Sequence, residues 1–164
     1  MDYLAHALWS YITFHRTRKP LYGVLFGILP DTVSWVPYFF FNLLTGGMPG
    51  RPVVSSIPQW VMTLYGISHS VLVFFCVAGI VYLFHRTVPI YIWAWLLHVL
   101  IDIPTHTSTF LPTPFLWPFA NFAFPGISWG TPWFMALNYS VMIITLIVIF
   151  LRKRFKGDTL ESKP

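Results

Sequence analysis

The sequence predicts an all-α membrane protein, a polytopic transmembrane bundle of about five helices that forms one domain over residues 1–164. The chain is 56% hydrophobic and 20% aromatic but only 9% charged, whereas soluble domains carry about 25% charged residues. The charges are also segregated toward the two ends. Between residues 20 and 151 the charged side chains are Asp31, Arg51, Arg86 and Asp102. Such long uncharged stretches are typical of helices that lie in lipid.

Five apolar stretches are the predicted spans, with approximate boundaries 3–16, 21–44, 57–84, 88–103 and 131–151. The second span is predicted to be broken at Pro30-Asp31. Proline removes a backbone donor, and a carboxylate in the middle of a span must face protein or water. The segment 104–130 has no charged residue and is rich in Pro, Phe and Trp. That composition indicates a loop that lies in the membrane interface.

The basic residues predict an orientation. If the spans alternate, then Lys19, Arg86 and Arg152 all fall on one side, and the positive-inside rule makes that side cytoplasmic. The N-terminus is then outside, and the basic tail 152–164 is cytoplasmic. We expect these basic groups to contact anionic lipid. Nucleic acid is not an expected partner, because no soluble domain presents a basic face.

Six ionisable groups in apolar surroundings are the candidate site. They are His6, Asp31, His69, His98, Asp102 and His106. His98 and Asp102 are four residues apart and therefore share one face of a helix. His106 follows Pro104, which is expected to end that helix, so a loop can bring His106 back toward the pair. Measured along the helices at about 1.5 Å per residue, all of these groups can meet in the outer half of the membrane.

A divalent metal ion would compensate the cost of burying these groups together. Histidine and carboxylate ligands suit zinc, and also manganese or iron. Six groups exceed one tetrahedral zinc site, so the sequence allows two ions, or one ion with some groups orienting the ligands. Asp31 and Asp102 are the candidate catalytic residues, and each can be a ligand or a general base. Each residue also has a simpler interpretation, since a buried histidine can be a core residue with one hydrogen bond and the His98–Asp102 pair can be structural.

Four short motifs, taken in order, resemble those of a known family. They are Leu4-Ala5-His6, Leu29-Pro30-Asp31, Ser68-His69-Ser70, and His98 with Asp102. In this order and approximate spacing, which cover about the first two-thirds of the chain, they resemble the bacterial membrane-bound metal-dependent hydrolases. Those small inner-membrane proteins are considered distant relatives of the zinc-dependent phospholipases C, which also use a His-x-x-x-Asp helix.

The resemblance implies a multi-pass protein of the bacterial inner membrane with metal ligands at His6, Asp31, His69, His98 and Asp102. It also implies hydrolysis of a phosphoester or related bond in a lipid or other amphiphilic substrate. The chain departs from the family at Val33, where the family often has a second acidic residue. His106 is the group available to replace that ligand.

Two other functions fit the same residues. A broken helix with a mid-span carboxylate also suits an ion, metal or proton transporter. The chain is short for a transporter and has no inverted repeat, which a homodimer would supply. The polar groups can instead serve packing in a structural or partner-binding membrane protein.

Overall fold

The computed structural model describes residues 1–46, 53–120 and 122–161, with side chains through residue 155. The end of the predicted tail 152–164 therefore lies outside the described residues. The described part is helical and contains no strand. Its helices are α1 (Tyr3–Phe14), α2 (Pro20–Leu44), α3 (Gln59–Ser68), α4 (Val71–His85), α5 (Trp93–Thr105) and α6 (Pro132–Glu161). Short 3-10 turns, Val54–Ser56 and Ile90–Ile92, precede α3 and α5.

The chain divides into two compact units, Met1–Trp129 and Gly130–Pro164. The first unit contains α1 to α5, and α2 is its central helix, since α1, α3 and α5 all pack against it. The second unit contains α6, which is apolar through residue 151 and carries the basic residues of the run 152–156. All of the candidate site residues lie in the first unit.

Helix α2 is continuous, so the predicted break at Pro30-Asp31 is wrong. Both Pro30 and Pro37 lie inside the helix. Side chains form hydrogen bonds with carbonyl oxygens near Pro30. Ser34 Oγ donates to Pro30 O at 3.0 Å, and His98 Nδ1 lies 2.7 Å from Gly27 O. A membrane helix tolerates proline where neighbouring side chains supply such hydrogen bonds.

The predicted span 57–84 consists of two helices, α3 and α4, which meet at an angle of 58°. The break falls at His69 and Ser70. Ser70 is the N-cap of α4 and accepts a hydrogen bond from Val73 N at 3.2 Å. A serine N-cap stabilises a new helix start, so the chain can turn here without proline or glycine.

Helix α5 runs through Pro104 and ends at Thr105, two residues beyond the predicted boundary. Its last turn still forms a backbone bond from His106 N to Asp102 O at 3.1 Å. Pro104 therefore does not end the helix by itself, and the chain leaves the helix at His106, where the backbone becomes extended.

Two helices are long and apolar enough to cross a membrane, Pro20–Leu44 and Pro132–Phe155. The bent pair α3–α4 would make a third span if it crosses as one unit, and α1 and α5 are shorter. The described helices are therefore compatible with a membrane protein. The five-span topology and its orientation stay predictions.

The aromatic segment after α5 is joined to the start of α4 and to the end of α5 by backbone hydrogen bonds. Val71 N donates to Phe115 O at 3.0 Å, and Trp129 N donates to Thr105 O at 3.0 Å. Several of its rings remain exposed, including Phe119 at 85% and Phe122 at 56%. Exposed aromatic rings of this kind suit contact with the membrane interface.

Candidate metal centre

The structure brings all six candidate groups together inside the first unit. His6 lies on α1, Asp31 on α2, His69 at the α3–α4 break, His98 and Asp102 on α5, and His106 directly after α5. Each of the six is at most 8% exposed. Buried ionisable groups need partners, and these groups find them in one another.

Asp102 is the centre of the cluster. Its Oδ1 lies 2.9 Å from His6 Nε2 and 3.5 Å from His106 Nε2. Its Oδ2 lies 3.3 Å from His98 Nε2 and 3.6 Å from His69 Nε2. One carboxylate is thus surrounded by four imidazole nitrogens.

Three of these imidazoles are each held by a backbone carbonyl. The carbonyl partners and their distances from Nδ1 are Gly27 for His98 (2.7 Å), Leu111 for His106 (2.8 Å) and Tyr65 for His69 (3.1 Å). A carbonyl oxygen only accepts, so Nδ1 carries the proton in each ring. In the neutral ring Nε2 is then an acceptor, and this is the arrangement that prepares a histidine to bind a metal.

Acceptor atoms therefore converge on one small volume. His69 Nε2 and His98 Nε2 lie 3.1 Å apart. Asp31 Oδ1 lies 3.5 Å from the first nitrogen and 3.9 Å from the second. Lone pairs this close repel one another in a buried site unless a cation or a proton lies among them. A divalent metal ion would satisfy all of them at once.

Two overlapping groups of side chains have the geometry to hold an ion. They are His6, Asp31 and His98, and His69, His98 and Asp102, and within each group the ligand atoms lie within 4.8 Å of one another. His98 belongs to both, but its Nδ1 is already bonded to Gly27, so it offers only Nε2. One nitrogen lone pair can bind only one ion. Because both groups need His98 Nε2, they favour a single shared ion with up to five ligands.

His6 supplies an independent indication of a missing ligand. Its ring stacks on that of His98 with 3.6 Å between the centroids. Its Nδ1 is buried and has no hydrogen-bond partner among the described residues. A buried polar atom without a partner costs free energy, which a bound ion or its water would offset.

The break between α3 and α4 positions His69. Trp95 Nε1 donates to Ser68 O at 2.6 Å, and Ser70 Oγ donates to Trp117 O at 2.7 Å. The Tyr65 ring packs on the His69 ring with 4.0 Å between the centroids. These contacts hold the His69 imidazole at the cluster. In a continuous helix the same side chain would lie elsewhere.

A close helix contact positions His6. Gly23 and Gly27 lie four residues apart on α2, and a Cβ atom at either would clash with α1, at Phe14 and Ser10 respectively. The small residues let the two backbones approach closely. Because His6 and Ser10 share the buried face of α1, this contact brings His6 to the cluster.

His106 lies beside the two metal-binding groups but belongs to neither. Its Nε2 is 2.9 Å from the Met1 amino group, which also contacts Asp102 Oδ1. The supporting residues Gly27, Tyr65 and Trp95 were not predicted from the sequence. Of these, only Gly27 carries a recognisable pattern, the Gly23-x-x-x-Gly27 spacing that favours helix packing in membranes.

Comparisons with protein-family models, with curated proteins and with solved structures found no match to this chain. The resemblance to the membrane-bound metal-dependent hydrolases therefore stays a prediction from the motifs quoted above.

Proposed function

We propose that the chain is a membrane-embedded, metal-dependent hydrolase that binds one divalent ion, zinc being the first candidate. Its substrate would be a lipid or other amphiphile with a phosphoester or related bond. The observation that carries this proposal is the convergence of His69 Nε2 and His98 Nε2, whose ring protons are held at Nδ1, with Asp31 Oδ1 and Asp102 Oδ2. A bound divalent ion supplies Lewis acidity, which polarises the scissile group and activates water.

The surroundings of the two carboxylates give them different roles. Asp102 is 1% exposed and is surrounded by four imidazoles, so it is closed to a substrate or to water. The Asp31 side chain is 11% exposed and meets imidazole nitrogens only at 3.5 Å and 3.9 Å. We therefore assign Asp102 as a metal ligand and Asp31 as the general base that takes a proton from water. This assignment leaves the ion with four of the five candidate ligands, namely His6, His69, His98 and Asp102.

The lipid character of the substrate is supported by the apolar surface of the first unit. The segment after α5 contributes the exposed rings of Phe119, Phe122 and Phe124 to that surface. Such surfaces contact lipid more readily than water. Membership of the bacterial inner-membrane hydrolases, with the N-terminus outside, is part of the same proposal.

The test is turnover of lipid by protein that is purified in detergent and loaded with zinc. We expect release of phosphate or a phosphorylated headgroup from mixed phospholipid vesicles. Asp31→Asn should keep the ion and lose about 100-fold or more of the rate, the usual contribution of a general base. His85→Ala, which changes an exposed histidine at the end of α4, is the control and should turn over lipid at the wild-type rate.

Two results would contradict the proposal. Equal turnover by Asp31→Asn and wild type would remove Asp31 from the chemistry. An ion-loaded protein that hydrolyses no phospholipid but carries zinc across the vesicle membrane would replace hydrolysis with transport.

A further inference from the structure

A second concave site lies next to the metal centre. It is a cavity of about 250 Å³, formed between α3 and the segment after α5. Its walls include Gln59, Met62 and Tyr65 from the helix, and Thr113, Trp117 and Phe122 from the segment. The proposed chemistry at the histidine cluster does not use this space.

The cavity has an open end and a buried end. Gln59 and Phe122 are exposed at its opening, whereas Tyr65 and Thr113 are 1% and 3% exposed. The Thr113 hydroxyl is buried near the Tyr65 hydroxyl, and it forms no hydrogen bond of ordinary length and angle with any described residue. A buried hydroxyl that borders a cavity and lacks such a hydrogen bond can form one with a ligand.

The buried end shares a wall with the metal centre. One face of the Tyr65 ring packs on His69, and Tyr65 also lines the cavity. The Tyr65 hydroxyl donates to Leu111 O at 3.1 Å, and the same oxygen lies 2.8 Å from His106 Nδ1. A molecule in the cavity therefore lies one aromatic ring away from a candidate ligand.

We propose that this cavity binds the ester-linked end of an acyl chain of a membrane glycerolipid beside the histidine cluster. The apolar lining of Met62, Trp117 and Phe122 suits hydrocarbon, and the Thr113 hydroxyl donates to an ester carbonyl. The proposal deepens the hydrolase proposal and rests on it, because it states which part of the substrate is held and where.

The size of the cavity fits part of a lipid and not a whole one. Cavities of about 150 Å³ hold a benzene ring, and sites for drug-sized molecules begin at about 300 Å³. A space of about 250 Å³ therefore holds an ester group with its first methylenes. The rest of the chain would extend past Phe122 into the bilayer.

The experiment is photo-crosslinking in vesicles of phosphatidylethanolamine and phosphatidylglycerol. The probe is a glycerophospholipid with a diazirine near the ester of one acyl chain, and crosslinked peptides are located by mass spectrometry. Labelling of the peptides that contain Met62 or Trp117 is measured relative to the peptide that contains Phe84, which is 81% exposed. We expect the cavity peptides to exceed the Phe84 peptide at least fivefold.

Three variants test whether the labelling comes from lipid bound in the cavity. Ala123→Trp fills the cavity and should reduce its labelling to the level of Phe84. Thr113→Val keeps the shape and removes the hydroxyl, so labelling should fall about 2- to 10-fold, the worth of one hydrogen bond. Thr109→Val removes an exposed hydroxyl of the same segment, outside the cavity lining, and should leave labelling unchanged.

Cavity labelling no stronger than that of Phe84, or unaffected by both Ala123→Trp and Thr113→Val, would overturn the proposal. The outcome is separate from that of the hydrolase proposal. Strong cavity labelling in a protein that hydrolyses no phospholipid would sustain the lipid site and refute the hydrolase. Hydrolysis without cavity labelling would sustain the hydrolase and refute this site.

Discussion

Replacing Gly27 by alanine tests how the helices assemble the metal centre. A Cβ atom at this position would lie 1.8 Å from Ser10 Oγ and 2.6 Å from Ser10 Cβ, where ordinary contacts are 3.4–4 Å. Rotation of the serine hydroxyl can relieve the first clash but not the second. Helices α1 and α2 would therefore have to separate by about 0.8 Å.

That separation is small for the fold but large for a metal ligand. Overpacking costs about 1–3 kcal/mol, and replacing glycine by alanine inside a helix returns up to about 1 kcal/mol. With the full return, we expect a net loss of about 0–2 kcal/mol in the free energy of unfolding. Metal-ligand distances tolerate only about 0.2 Å, so His6 should no longer bind, and zinc affinity should fall about 10- to 100-fold, as when a supporting group is lost.

The assay is thermal unfolding in detergent together with zinc titration. Gly79→Ala is the matched control, because a Cβ atom there has nothing within 4 Å, and it should raise stability without changing zinc affinity. The double variant Ser10→Gly/Gly27→Ala should recover zinc binding, since the next neighbour of the new Cβ is Ala94 Cβ at 3.7 Å. If Gly27→Ala instead behaves like Gly79→Ala in both measurements, the reasoning about this helix contact is refuted.

Two further changes test the supports of the site. Trp95→Phe removes the donor to Ser68 O. It should lower the free energy of unfolding by about 1–3 kcal/mol, the penalty of an unsatisfied buried carbonyl. Thermal unfolding measures this loss, and unchanged stability would show that the bond does not hold the α3–α4 break. Adding a chelator to zinc-loaded protein should remove about 2.7 kcal/mol of stability if the free ion had stood at about 100 times its dissociation constant. His98→Ala should show no such chelator effect, and an equal effect in both proteins would place the ion elsewhere.

Much of the candidate site was predictable from the sequence because ionisable residues are rare in apolar segments. Asp31 and Asp102 are the only carboxylates between residues 20 and 151, and such groups generally serve function. The spacing of His98 and Asp102 placed them on one helix face, and the structure has them there. The four histidines were predicted as members of the same set, but their contacts with the carboxylates required the tertiary structure, since a single histidine in an apolar segment does not reveal its neighbours.

The breaks in the helices were not predictable from local residues. Pro30 was expected to break α2, but Ser34 and His98 donate to carbonyl oxygens near it, and the helix continues. The break at His69 has no proline or glycine, and it depends on Trp95, which is distant in sequence and satisfies Ser68 O. In both cases a hydrogen bond from a side chain outweighs the intrinsic preference of the backbone.

The most direct test of the metal centre is elemental analysis of the protein purified in mild detergent and supplied with zinc or manganese. We predict one divalent ion per chain in the wild type and in His85→Ala, and less than a tenth of that in His98→Ala and Asp102→Asn. One ion per chain in all four proteins would show that the ion lies elsewhere. No ion in the wild type would contradict the account, and the converging acceptors at His69, His98 and Asp102 would then have to be held together by protons.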